Sequence, residues 1–365
     1  MSGQTMKNEP LIRIAKNKEL SKNTIFIIRI LAVLLSLAAG GIFIMALGYN
    51  PLEIYAAILK GAFKNKIMIQ ETVKVIIPLL ISSLAVTLAF KMRFWNIGAE
   101  GQMIMGAVFA SAFALYFPNM NHWLLMLCMF VAAVVGGGLW GLIPAVFKIK
   151  YNTNETLFTL MLNYIALYVI FILRDGIWKD PSSPFPKIAM FAQNARLDKF
   201  LGVHFGWVVA IVLVILVYIY IEYTKHGYEI KVVGESSATA TYAGMNVNKI
   251  IIRTMFLSGA VAGIAGMVKA AGSDLTLSTS VAGGIGFTAI IVAWLAQLNP
   301  VAICIVTVFL SALEKGCASI SSAYPLMSAD CADILQGIIL FFILGCELFV
   351  RYKFVFGKIG KGGRK

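Results

Sequence analysis

Ten stretches of the chain are close to unbroken runs of apolar residues, and polar residues gather in the short segments between them. The runs cover about residues 24–47, 73–90, 103–117, 122–147, 157–173, 207–221, 254–271, 284–297, 301–313 and 332–350. A helix needs about 20 mainly apolar residues to cross a bilayer, fewer where protein or water covers its ends, so each run predicts a spanning helix. The pattern predicts an all-α polytopic membrane protein with about ten transmembrane helices. Its parts are a cytoplasmic N-terminal segment over 1–23, a transmembrane domain over 24–350 and a basic cytoplasmic tail over 351–365.

Composition points the same way. Of 365 residues, 59% are hydrophobic and 13% charged, against about 25% charged in soluble proteins, and the mean hydropathy is +0.84. Such a chain cannot clothe a water-facing surface. The segment before the first run is too long, and carries too much charge of both signs, for the head of a cleavable signal peptide, so that run is read as a retained anchor. Five cysteines, Cys128, Cys304, Cys317, Cys331 and Cys346, imply no disulfide framework.

Lys and Arg set the orientation. With the amino terminus inside, alternate segments place Lys7, Arg13, Lys16, Lys18 and Lys22, then Lys91 and Arg93, Lys148 and Lys150, Lys225 to Arg253, and the tail in the cytoplasm. The outside receives Lys60, Lys64, Lys66 and the loop from Arg174 to Lys199, where Asp175, Asp180 and Asp198 dilute the charge. An even number of spans with both termini inside fits. The net charge of +14 is therefore explained by topology and anionic lipid headgroups, since the basic residues form no single nucleic-acid face. Trp123, Trp178 and Trp207 fall near span ends, as interfacial rings do.

Ten spans divide into two fives that enter from opposite sides, the arithmetic of an inverted 5+5 repeat. The halves share a weak likeness. Phe94-Trp95-Asn96-Ile97-Gly98-Ala99-Glu100-Gly101-Gln102 and Gly283-Gly284-Ile285-Gly286-Phe287 are both glycine-rich breaks that open a short apolar helix.

Enzyme signatures are missing from the sequence: there is no phosphate-binding loop, no H-E-x-x-H, no C-x-x-C and no G-x-S-x-G. The three histidines are widely separated, so no metal site, cofactor or catalytic residue is expected. What stands out is polarity inside apolar surroundings. Asn96, Glu100 and Gln102 suit a discontinuous helix facing a solute path, and equally a helix start with Asn96 as its N-cap. Asn163, within an apolar run beside Tyr164, is either interhelical glue or a pathway residue. Lys269 and Glu347 are also expected inside spans, paired or snorkelling. Gly137-x-x-x-Gly141 and Gly259-x-x-x-Gly263 read as close-packing faces. The inner loop over about 222–253 is longer than a turn needs, and its Gly234 to Met245 centre predicts a short helix with a glycine stop, either a connector or an element for a partner's groove.

At these residues the chain resembles the membrane permeases of bacterial ABC importers in the sugar, branched-chain amino acid and nucleoside class. The Phe94–Gln102 run is similar to the signature of the nucleoside, basic-membrane-protein-associated subgroup. Asn154-Glu155, Thr159-Leu160-Met161-Leu162-Asn163-Tyr164, Tyr242-Ala243-Gly244 and Asp333-Ile334-Leu335-Gln336-Gly337 extend the likeness over most of the chain. The resemblance implies import by alternating access, with ATP hydrolysed on a separate cytoplasmic ATPase subunit. It also implies a second, paralogous permease, an extracellular solute-binding lipoprotein, and residence in the bacterial cytoplasmic membrane among its lipids. By the same resemblance Glu235, Tyr242, Ala243 and Gly244 belong to the loop that touches the ATPase. A nucleoside is the expected solute. Trp95, Asn96, Glu100, Gln102, Asn163, Tyr164, Phe287 and Trp294 are its expected path, since amides and aromatic rings suit a ring-bearing, hydroxyl-rich molecule. Simple sugars or riboflavin are the alternatives within the class. An ion-coupled carrier would need its own coupling site, and a membrane-embedded enzyme a catalytic constellation.

Overall fold

In the computed structural model, each of the ten apolar runs lies on a helix, and the description covers residues 12–16, 21–327 and 329–356. The chain-order helices are α1 (Lys22–Ala46), α2 (Pro51–Phe63), α3 (Lys66–Lys91), α4 (Ala99–Tyr116), α5 (His122–Tyr151) and α6 (Glu155–Asp175). They continue as α7 (Gly206–Tyr223), α8 (Lys225–Glu235), α9 (Ser237–Tyr242), α10 (Val247–Val268), α11 (Ile285–Leu295), α12 (Pro300–Ile320) and α13 (Ala329–Arg351). A π-turn over Lys269–Asp274 carries α10 onward.

Helix length and composition identify fewer spans than the ten expected. Among the described residues six helices are long and apolar enough to cross a membrane, namely α3, α5, α6, α7, α10 with its π-turn, and α12. A seventh arises if the bent pair Ile30–Ala46 and Pro51–Phe63, which turns by 105°, counts as one span. α11 has 11 residues, about 16 Å of helix, and cannot cross alone. α2 escaped the sequence reading because it is short and carries Glu53 and Lys60. The all-α expectation also misses two short antiparallel pairings, Ile12–Lys16 with Tyr352–Phe356, and Lys199–Phe200 with Val203–His204. The expected cytoplasmic segment 1–23 and tail 351–365 otherwise lie largely outside the described residues, as does the Glu347 side chain.

The chain divides into two compact units. One joins residues 1–57 and 321–365, in which α1 packs along α13 and the Tyr55 hydroxyl donates to the Leu37 carbonyl at 2.8 Å. The other, residues 58–320, holds the site. Its centre is α3, buried without interruption from Ile77 to Phe90, and beside it α4, α5 and α10 pack as a tight trio, while α6 and α7 are mostly exposed.

Small residues make that trio possible. A Cβ on Gly137 of α5 would stand 2.7 Å from the Gly263 Cα of α10 and overlap the Gly259 carbonyl, and one on Gly106 of α4 would overlap the Gly263 backbone. In lipid, where apolar side chains gain little from meeting each other, backbone-to-backbone approach of this kind maximises dispersion contact. The two expected packing faces, Gly137/Gly141 and Gly259/Gly263, thus meet each other. Gly141 completes the seam, its Cβ position 3.2 Å from the Gly259 Cα.

Candidate functional site

Most helices here start from a side chain that caps them. Asn65, Asn121, Asn154, Thr224, Ser236 and Asn246 each accept a first-turn amide of the helix they precede. Helices α4, α7 and α11 start without one. α4 and α11 begin after Gly98 and Gly284, which have no side chain to offer; the start of α4 is buried and that of α11 is half-buried, so their first amides have little or no water to bond.

Neighbouring helices supply the missing acceptors. The Asn163 side chain of α6 takes the Gly101 amide at 2.8 Å and donates to the Ile97 carbonyl at 2.9 Å. Thr159, one turn earlier, accepts the Ile97 amide at 3.1 Å. Glu100, in the first turn of α4, then extends its carboxylate to α11, accepting Gly284 N–H at 2.8 Å on Oε1 and Gly286 N–H at 2.7 Å on Oε2. A carboxylate at a helix N-terminus meets both unsatisfied donors and the positive end of the dipole. α4 is therefore capped by α6, and it caps α11.

Close approach is a condition of this contact. A Cβ on Gly286 would fall 2.6 Å from the Glu100 Cα, and Gly284 sits at φ +85°, in the left-handed region open to glycine. Asn96 is not the N-cap that one reading expected. Its side chain accepts Gly98 N–H at 3.0 Å and pairs both ways with the Gln102 amide at 3.2 Å. Its Nδ2 also reaches Ser258 Oγ of α10 at 3.4 Å, and that hydroxyl donates to the Ala85 carbonyl of α3 at 2.7 Å.

The expected pathway residues thus fall into two groups. Asn96, Glu100, Gln102 and Asn163 are buried and bonded to one another or to helix starts. The aromatic ones are exposed, apart from the half-buried Trp294. Trp95 is 45% exposed and stacks on Trp294 with ring centres 5.6 Å apart and planes at 23°, with Phe90 packed against both. Phe287 and Tyr164 are exposed too, on α11 and α6. Thr159, Ser258 and Phe90 were not singled out as site residues. Thr159 stands in a quoted motif, Ser258 in Leu257-Ser258-Gly259 reads from the sequence as helix packing, and nothing in the pattern marks Phe90 apart from other residues of apolar helices.

The inner loop forms α8 and α9, and the expected short helix with its glycine stop is Ser237–Tyr242 followed by Gly244 at φ +76°. Glu235, Tyr242, Ala243 and Gly244 are all exposed, Tyr242 at 97%. Lys269 pairs with Asp274 at 3.2 Å inside the π-turn.

A bundle of apolar helices in which two helix starts are capped by side chains of neighbouring helices is the build of a membrane permease. The chain belongs to the family described as branched-chain amino acid transport system / permease component, whose model matches residues 68–344. It is similar to a glucose ABC transporter permease protein of Haloferax volcanii, 30% identical over 337 residues that cover 89% of this chain and 88% of the relative. It is also 30% identical to a guanosine ABC transporter permease protein of Bacillus subtilis, over 92% of this chain and 97% of that one. A nucleoside ABC transporter permease protein of Lactococcus lactis subsp. cremoris is 28% identical over 87% and 90% of the two chains.

Proposed function

We propose that this permease admits nucleosides, in a complex with a second permease, a cytoplasmic ATPase and an external solute-binding lipoprotein. The observation that carries the solute class is the open indole of Trp95, backed by Trp294, beside polar groups that are already committed to each other. A site whose amides are spent on holding helix starts has an aromatic face left with which to meet a solute, and a flat base stacks on it where a hexose has only a ring of C–H and hydroxyl groups. The guanosine and nucleoside relatives agree with this choice. The glucose relative, equally similar, keeps a simple sugar as the second reading.

The finer architecture belongs to the same reading. Ten spans in an inverted 5+5 arrangement are supported by the parallel between α4 and α11, each opened by a glycine break and capped from a neighbour. Cytoplasmic termini are supported by the Lys and Arg asymmetry. The α9 tip with Glu235, Tyr242, Ala243 and Gly244 is the ATPase contact in this reading, an exposed short helix suited to a groove.

Uptake of labelled guanosine, uridine and glucose by the reconstituted complex tests the solute. Nucleoside uptake that excess glucose does not compete is expected. Glucose uptake without nucleoside uptake would assign the sugar instead.

A further inference from the structure

The exposed α9 tip stands on a base that is pinned at three places, and all three lead back to the segment carrying Trp95. Gly234, at the end of α8, lies directly on the backbone where α3 stops. A Cβ there would overlap the Lys91 carbonyl oxygen and stand 3.4 Å from the Met92 Cα. Glu222, at the end of α7, forms the second attachment, between Lys91 of α3 at 3.3 Å and Lys231 of α8 at 2.6 Å. The third is Glu229 of α8, whose carboxylate holds Arg253 of α10 at 2.8 Å, with His226 beside it.

From these attachments two short routes run to the site. Lys91 and Met92 lead straight into the Phe94–Gly98 segment, in which Met92 and Phe94 are buried while Trp95 is open. Arg253 stands on α10, about one and a half turns before Ser258, which meets Asn96 and the Ala85 carbonyl. The free end of the device is α9, with Thr241, Tyr242 and Ala243 exposed. A helix fixed to backbone at one end and exposed at the other moves as a unit, because packed interfaces shift between arrangements and do not deform smoothly.

We infer that α8 is a strut that carries displacement of the α9 tip to the Trp95–Asn96 segment, with Gly234 and Glu222 as its positioning residues. This rests on the reading of α9 as the ATPase contact. In this role Gly234 and Glu222 act through the strut and not on solute or nucleotide. Their role is to keep the strut seated, so that hydrolysis and solute movement stay in step.

The test uses the complete complex, with Gly234→Ala, Glu222→Gln and Glu222→Asp beside Tyr242→Ala. Permease abundance, ATPase co-purification, hydrolysis rate and solute moved per ATP are measured for each. Gly234→Ala and Glu222→Gln are expected to recruit the ATPase normally and to hydrolyse ATP, yet to move several-fold less solute per ATP, while Glu222→Asp restores most of the ratio. Glu222 is partly exposed, so its variants remain informative if Gly234→Ala does not assemble. A wild-type ratio in Glu222→Gln, or loss of recruitment in it, would overturn the strut. Normal recruitment by Tyr242→Ala would instead overturn the α9 contact on which the inference rests, and the strut with it.

Discussion

The carboxylate of Glu100 accepts the backbone amide of Gly286 at 2.7 Å, joining the starts of α4 and α11 across 186 residues of chain. Neither α4 nor α11 has a capping side chain of its own. Replacing Glu100 by Ala leaves the Gly284 and Gly286 amides without an acceptor. A hydrogen bond to a charged group is worth about 1.5–3 kcal/mol, and this one serves two donors. Melting of the purified permease should fall markedly for Glu100→Ala, with uptake lost, and by less for Glu100→Gln, which keeps one acceptor oxygen. An alanine variant that melts like wild type would show that the cap does not hold α11.

Trp95 offers an indole face backed by Trp294. Stacking of a base on an aromatic side chain is worth about 1–3 kcal/mol. Trp95→Ala should therefore raise the nucleoside concentration for half-maximal uptake by roughly tenfold, at unchanged permease abundance, and Trp95→Phe should raise it less. Equal half-saturation in all three proteins would move the solute elsewhere.

At the α9 tip the choice of position matters. Gly244 has φ +76°, so any larger side chain there strains the helix stop as well as the contact. Ala243, exposed and at φ −76°, isolates the contact. Ala243→Trp should lower ATPase co-purification several-fold and leave melting unchanged, since overpacking a close contact costs about 1–3 kcal/mol. Wild-type co-purification would remove this face from docking.

His204 gives the permease an acid-sensitive spot. The ring is buried between Gly206 and Gly272, where added Cβ atoms would stand 2.7 and 2.6 Å from Nδ1, and that nitrogen has no hydrogen-bond partner. Burial, reinforced by Lys74 and then Lys269, pushes its pKa from 6.5 down to about 4. Above about pH 6.5 the ring is neutral folded or unfolded and contributes no pH dependence. Between 6.5 and 4 the unfolded chain takes a proton that the folded one refuses, so stability falls as pH falls through this range. Melting should drop between pH 7.5 and 5, and the slope should flatten in His204→Phe. An identical slope in that variant would exclude His204 as its source.

Sequence alone could place Asn163 and the Phe94–Gln102 run because each breaks a local pattern: a lone amide in an apolar stretch, and glycines with polar groups between two spans. It could not say what they bind. The partner of Glu100 is set by how α10, its π-turn and the following loop return the chain to α4, and no local signal encodes that return. The same limit applies to Gly137 and Gly259, whose spacing marks a small-residue face without naming the face it meets. The run over 284–297 reads as a span because the apolar stretch continues past Leu295 into Ala296, whereas the helix within it has 11 residues. α2 was missed since 13 residues with mixed charge resemble a loop as much as a helix.

The glycine seam decides which part of the bundle can serve as a fulcrum. Where Gly106, Gly137, Gly259 and Gly263 bring α4, α5 and α10 together, backbone rests on backbone, and no side chain is present whose rotamer could absorb a slide. Gearing of the remaining helices must turn about this block, much as a lever needs a bearing with no play. Amide hydrogen exchange in the working transporter should therefore be slowest at the seam in every nucleotide state, with changes concentrated in α6, α7 and the segment around Trp95.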